Sequence, residues 1–178
     1  MKYLIACPVY GPPLVDLKRN MSFLASSIGR DPIYHSMEPH LTLHRPVTNL
    51  SLDQLKEVVV KLASEMNPIE VRTGRSQLFG SELLVLSIQG LNLRLANLWV
   101  HLHDQIFELT GERGEYDGEN TLHITLLNKL SKLEEETREF LVDVVISPIV
   151  IPLDRIAIYE RTSDGPLKWD QIWETKFG

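Results

Sequence analysis

The string Pro39-His40-Leu41-Thr42-Leu43 returns, almost unchanged, as Leu122-His123-Ile124-Thr125-Leu126. Each copy heads the same succession of signals: a run of strand-forming residues, a Ser-x-x-Gln or Ser-x-x-Glu capping box, an amphipathic helical stretch, a proline, then strand again. From His40 to Pro68 is 28 residues and from His123 to Pro148 is 25, and the three-residue difference falls before the capping serine (Ser51 or Ser131). From Pro68 to Phe79 and from Pro148 to Tyr159 is 11 residues in both cases. A chain built of two such units must pair them, because one unit alone leaves a sheet face uncovered. Two copies are too few for a solenoid. The expected architecture is therefore α+β, with residues 1–178 a single bilobal domain. Its two lobes are related by an approximate twofold, each a mostly antiparallel sheet with outer helices, and the two motif strands line a cleft between them.

The remaining elements follow from periodicity and breakers. Residues 2–10 read as a first strand closed by Gly11-Pro12-Pro13, and Leu14, Leu17, Met21, Leu24 and Ile28 fall at helical spacing over 13–29. The first motif strand covers about 40–46. Ser51-Leu52-Asp53-Gln54 opens a helix that Pro68 ends, and strands over 69–79 and 83–89 flank a Gly80-Ser81-Glu82 turn. A helix over 91–109 carries Leu91, Leu95, Leu98, Leu102, Ile106 and Leu109 on one face and stops at Gly111. The polar stretch 111–120, with its glycines and acids, is a candidate lid before the second motif strand at 121–129. Ser131-Lys132-Leu133-Glu134 reads as a second capping box, opening a helix to about 146 with Leu133, Phe140, Leu141 and Val144 inward. Strands over 149–160 and 167–177 close the chain around Ser163-Asp164-Gly165-Pro166, with Trp169, Trp173 and Phe177 on one face of the last.

Alternation along a strand places His40 and Thr42 on one face, and His123 and Thr125 on one face of theirs. Core packing has no reason to choose a histidine and a threonine twice in register, so the pairs read as a site. Imidazole, with an ordinary pKa of about 6.5, serves as either acid or base near neutrality. Two imidazoles and two hydroxyls suit acid–base chemistry at phosphorus, the hydroxyls donating to non-bridging oxygens where charge builds up. On the same alternation His44 shares the face of His40 and Thr42, and Lys129 that of His123 and Thr125, which makes both candidates for touching the phosphate. Tyr34, Tyr116 and Tyr159 are candidates for stacking a base, against a plainer role in packing. His101 and His103, two apart on a helix, do not face each other and make a poor metal pair.

Composition narrows the partners. A formal charge of -6 argues against a binder of long, non-specific nucleic acid, which needs a broad basic footprint, but not against a small anion in a locally positive pocket. Cys7 is the only cysteine and lies in the apolar run Tyr3-Leu4-Ile5-Ala6-Cys7, so it reads as a buried strand residue. No stretch approaches the roughly 18 apolar residues of a membrane span, and the first apolar run is too short for a secretory signal. A reducing cytoplasm is the expected location. Nothing in the sequence speaks to oligomeric state.

Two His-x-Thr-x motifs, 83 residues apart in a chain of this length, resemble the 2H phosphoesterase superfamily, which includes 2′,3′-cyclic phosphodiesterases and 2′-5′ RNA ligases. The resemblance spans essentially the whole chain. It implies catalytic roles for His40 and His123, with Thr42 and Thr125 binding substrate, and no cofactor or metal. It further implies hydrolysis of a 2′,3′-cyclic phosphate on a small nucleotide or an RNA end to a 2′-phosphate, His40 acting as acid and His123 as base. The residues themselves are symmetric on that last point. Two other readings remain open: 2′-5′ RNA ligation by the same groups run in reverse, and a nucleotide-binding module without turnover. Where family members often carry an aromatic or glycine after the first motif and an arginine after the second, this chain has His44-Arg45-Pro46 and Leu127-Asn128-Lys129. That departure bears on substrate preference rather than on the core chemistry.

Overall fold

Eight strands and four α-helices are formed by the described residues of the computed structural model, 2–90, 92–111, 122–162 and 168–178. In chain order they are β1 (Tyr3–Pro8), α1 (Pro12–Ser27), β2 (His40–Val47), α2 (Leu52–Ser64), β3 (Ile69–Phe79), β4 (Leu83–Ile88), α3 (Leu93–Thr110), β5 (His123–Leu127), α4 (Glu135–Asp143), β6 (Val150–Leu153), β7 (Arg155–Thr162) and β8 (Lys168–Lys176). The candidate lid at 111–120 apart from Gly111, Tyr116 within it, and the Ser163–Pro166 turn lie outside the described residues. Among those described, no helix is long and apolar enough to cross a membrane.

The strands form two antiparallel sheets of four, ordered β2-β1-β7-β8 and β5-β4-β3-β6. Each motif strand is thus an edge strand beside the strand that precedes it by one helix, and β2 lies next to β5 where the sheets meet. The expected twofold is present, but its lobes are not consecutive pieces of chain. The first half gives β1 and β2 to one sheet and β3 to the other; the second half gives β4 and β5 to the second sheet and returns β7 to the first. Helices cross over as well, α1 packing against β5 and α3 against β2. In consequence one continuous core holds Ile5, Leu17, Leu41 and Leu55 together with Leu84, Leu98, Ile124 and Ile151. At roughly 1.5–3 kcal/mol for each fully buried aliphatic side chain, this shared interior joins the halves far more strongly than any surface contact.

Local chemistry explains most boundaries. Gly11, at φ 67, turns the chain after β1, and Pro12 and Pro13 occupy the opening of α1, where a missing N–H costs nothing. Ser51 and Gln54 complete the expected capping box of α2. The Asn92 side chain accepts from the Leu95 N–H to start α3, and Gly111, at φ 69, ends it by donating to the Phe107 carbonyl. Strand β1 is buried on both faces, Tyr3, Ile5 and Cys7 entering the main core while Leu4 and Ala6 join a second cluster with Ala157 and Tyr159.

Several expectations are corrected. Ser131 does not cap a helix: Leu130 is fully buried and its N–H donates to the Glu82 carbonyl, which pins the chain in a 3-10 turn over Leu130–Lys132. The Ser131 hydroxyl donates to the Glu82 carboxylate, and α4 starts four residues later on Glu135 without a side-chain cap. That helix stops at Asp143, where the Ser76 hydroxyl donates to the Val142 and Val144 carbonyls, and Phe140 is turned outward beside the buried Leu141. The stretch read as one strand over 149–160 breaks at Asp154 and serves both sheets, as β6 and β7. In β8 an extra residue at Ile172 sets Trp173 against the core while Trp169 packs on the second cluster, so they do not share a face.

Candidate active site

The two motif strands are placed alike down to their irregularities. His40 pairs with Pro8 and Thr42 with Ala6; His123 pairs with Ser87 and Thr125 with Val85. In each strand the register slips by one directly after the threonine: Ile5 meets His44 with Leu43 extra, and Leu84 meets Leu127 with Leu126 extra. A bulge of this kind bends the strand and reverses which face the following residue takes. The motif leucines and isoleucine go inward, Leu41, Leu43, Ile124 and Leu126 being buried, while His40, Thr42, His123 and Thr125 stay half-buried on the opposite face. All four expected residues therefore line one side of the two adjoining edge strands.

His44 and Lys129 do not join them. After the Leu43 bulge His44 occupies the core position that Leu127 holds in the other half. It is buried, its ring 4.2 Å from that of His103 on α3, and His103 also stacks against Trp99 at 4.5 Å. The His103 Nε2–H donates to the Leu43 carbonyl, the group displaced by the bulge, so α3 supports the distortion beside the first motif. Lys129 lies beyond the end of β5, exposed and at φ 57, with the carbonyls of Asn128 and Lys129 accepting from Arg30. The shared-face reasoning fails for both because period-two alternation does not survive an inserted residue.

His40 is held in a defined state. Its Nδ1 lies 2.7 Å from the Glu38 carbonyl oxygen, which can only accept, so Nδ1 carries the proton and Nε2 is the working nitrogen. Burial lowers its pKa below the ordinary imidazole value, the Glu38 bond opposes this, and the nearby charge of His123 lowers it again. The last effect places the second imidazole within electrostatic reach of the first.

Each histidine also meets one aromatic ring, and the two rings are equivalent. Phe79 packs on His123 with ring centroids 4.7 Å apart, and Tyr159 faces His40 at 6.0 Å. Phe79 pairs with Leu83 in β4 as Tyr159 pairs with Leu4 in β1. The equal proline-to-aromatic spacing in the sequence pointed to this match, but nothing there tied either ring to a histidine. Tyr159 belongs to a small apolar cluster with Leu4, Ala6, Ala157, Met37 and Trp169, and its buried hydroxyl has no hydrogen-bond partner among the described residues. Burial pushes its phenol far above the ordinary tyrosine range.

Residues 19–165 match the family model of the 2′-5′ RNA ligase superfamily. The chain belongs to that superfamily. Its members are the 2H phosphoesterases that the paired motifs resemble. The fold of this 2H chain is that of E. coli LigT solved with 3′-AMP, at a TM-score of 0.64 and 15% identity over 99% of this chain and 97% of that one. It is likewise similar to TT0787 of Thermus thermophilus, at a TM-score of 0.66 and 16% identity, covering 99% of this chain and 98% of the other. LigT has also been solved with NADP+, a structure that matches at a TM-score of 0.64 and 14% identity over 99% of this chain and 97% of that one. No curated protein matches the sequence.

Proposed function

We propose that this 2H phosphoesterase opens 2′,3′-cyclic phosphodiesters of nucleotides or RNA ends to 2′-phosphates, with His40 and His123 as the acid–base pair. The observation that carries the reading is the mirrored placement of the motifs: a histidine leading each edge strand, a threonine two residues on, a bulge directly after. A pseudo-twofold axis between two such strands presents the imidazoles to a phosphorus from opposite sides, as in-line displacement requires. One imidazole takes a proton from water as its oxygen bonds to phosphorus. The other gives its proton to the departing 3′-oxygen as that bond breaks, each contributing roughly 10²–10⁴-fold in rate. Thr42 and Thr125 donate to the non-bridging oxygens, where one such donor is worth about 10²–10³-fold. The scheme calls on no metal.

The His40 environment refines the roles. With Nδ1–H committed to Glu38 and burial favouring the neutral ring, the resting imidazole presents a bare Nε2. For His40 to act as the acid that the resemblance assigns to it, the phosphate's own charge must raise its proton affinity on binding. LigT, of similar fold, has been solved with the small nucleotides 3′-AMP and NADP+, which supports a nucleotide as the substrate class.

The test is incubation with 2′,3′-cyclic nucleotides and a short RNA bearing a cyclic end, in EDTA, followed by phosphorus NMR. Opening to the 2′-phosphate is expected, and His40→Ala and His123→Ala should each abolish it. Turnover that survives either substitution, or that depends on added metal, refutes the two-histidine scheme. Binding without opening would leave a nucleotide-binding module.

A further inference from the structure

The two walls above the motif strands differ in chemistry where the pseudo-symmetry would make them alike. On the β1 side the third strand, β7, contributes Ala157 and Tyr159 to an apolar cluster. At its start Arg155 is paired with Asp154 and Glu174, and the Tyr10 hydroxyl donates to Glu174; Arg161, opposite Trp169, lies at its far end. On the β4 side the third strand, β3, contributes Gln77 and Phe79 at the same positions, and next to them a bulge. There Thr73 pairs with Ile88 and Ser76 with Leu86, so Gly74 and Arg75 together stand opposite Ser87, the partner of His123.

Gly74 is what lets Ser87 occupy this row. A β-carbon at position 74 would lie 2.5 Å from the Ser87 Oγ, so β3 gives up a side chain where the hydroxyl sits. Ser76 is turned to the helix side, its hydroxyl on the Val142 and Val144 carbonyls; within the bulge position 74 is aimed at the Ser87 hydroxyl, and Arg75 and Gln77, on either side of Ser76, are exposed away from the helices. Arg75 is exposed there, two strand spacings or about 10 Å from His123, with Ser87 between them. Arg72 projects from the same face one row further out, since its neighbours Val71 and Thr73 are buried. The described ion pairs engage Lys18, Arg19, Lys56, Arg155 and Lys168, and neither of these arginines. Glu70, on that face of β3, pairs with Pro152 and lies beyond Arg72, away from His123.

In a chain of net charge -6, this wall thus holds guanidinium that no described ion pair engages, beside a hydroxyl and in the row of a site-lining histidine. Resting on the reading given under Proposed function, we propose that Arg75 and Ser87 form a second phosphate subsite. It takes the 5′-phosphate of the nucleotide whose 2′,3′-cyclic phosphate lies between the histidines. A guanidinium fork matches two phosphate oxygens, and the serine hydroxyl supplies a further donor. The substrate class is then a phosphate-extended one, an RNA end or a 5′-phosphorylated nucleotide, in preference to a bare nucleoside cyclic phosphate.

Calorimetric binding of adenosine 2′-phosphate and adenosine 2′,5′-bisphosphate reads the subsite without reference to turnover. The bisphosphate should bind about tenfold tighter, with a log K against log salt slope steeper by about 1. Arg75→Gln should bring the ratio of the two affinities close to one, and Ser87→Ala should reduce it by about threefold, the share of one neutral donor. Equal affinities in the unsubstituted protein, or a ratio that Arg75→Gln leaves intact, overturn the subsite. Adenosine 2′,3′-cyclic phosphate, with and without a 5′-phosphate, separates the two readings. Opening of neither refutes the proposed reaction and leaves the binding ratio to decide the subsite, whereas equal opening of both overturns the subsite and leaves the reaction standing.

Discussion

Tyr159→Phe should make this protein more stable. The Tyr159 side chain is 2% exposed and its hydroxyl finds no partner among the described residues. Leaving a hydroxyl buried and unsatisfied costs about 1–3 kcal/mol in proteins. Removing the oxygen recovers that cost, less the dispersion contacts its small volume makes with the Leu4, Ala6 and Ala157 cluster, for a net gain of about 1 kcal/mol. The other half already carries this solution, because Phe79 is the equivalent ring on His123. In a chain of this size about 1 kcal/mol corresponds to a rise of roughly 2–4 °C in Tm. With a urea m-value of about 2 kcal/mol/M it moves the midpoint by about 0.5 M. Paired urea titrations of the protein and the variant, with m-values compared, measure it directly. A loss of stability at unchanged m would mean the hydroxyl has a partner in the folded state, and would refute the reasoning.

Three further outcomes are expected. Ser51→Ala should cost about 1 kcal/mol by removing the capping box of α2, while Ser131→Ala, whose hydroxyl donates to an exposed carboxylate, should cost less than half as much in the same denaturation assay. The folded-state pKa of His40 is lowered, so the unfolded chain takes up its proton first as pH falls through about 6.5, and stability drops until the folded pKa is passed. His40→Gln should flatten that part of a stability-against-pH curve, and an unchanged slope would contradict the burial of the ring. The kcat/KM profile should be bell-shaped in pH; if His40 is the acid, its depressed pKa brings the alkaline limb down early, and replacing Glu38 would leave the limb in place because the bond is to a backbone carbonyl.

How far the sequence could be read depended on whether an element kept its period. The α2 capping box, the Gly111 stop of α3, the hairpin about Gly80 and the burial of Cys7 all follow from local chemistry, and the structure has them as expected. The placement of His40, Thr42, His123 and Thr125 on one side was legible for the same reason, since each pair precedes its bulge. Beyond the bulges the argument fails. His44, Lys129 and the Trp169–Trp173 pair were assigned by counting in twos across an inserted residue, and one residue reverses every face that follows. No property of Leu43, Leu126 or Ile172 marks it as the extra one, for all three are ordinary strand formers; the register is decided by neighbours distant in the chain, such as His103 reaching the Leu43 carbonyl. The exchange of β3 and β7 was illegible too, because a repeat in sequence says what each half contains and not which sheet receives it.

That exchange has a consequence for the origin of the site. A chain half this long, giving two strands to its own sheet and lending its third to a second copy, would build the same cleft as a strand-swapped homodimer. Its two imidazoles would then be identical by symmetry, each obliged to be both donor and acceptor of protons. Fusion into one polypeptide lifts that obligation. Tyr159 behind one histidine and Phe79 behind the other, and Ala157 on one wall where Gln77 stands on the other, are differences that only a covalently joined pair can accumulate.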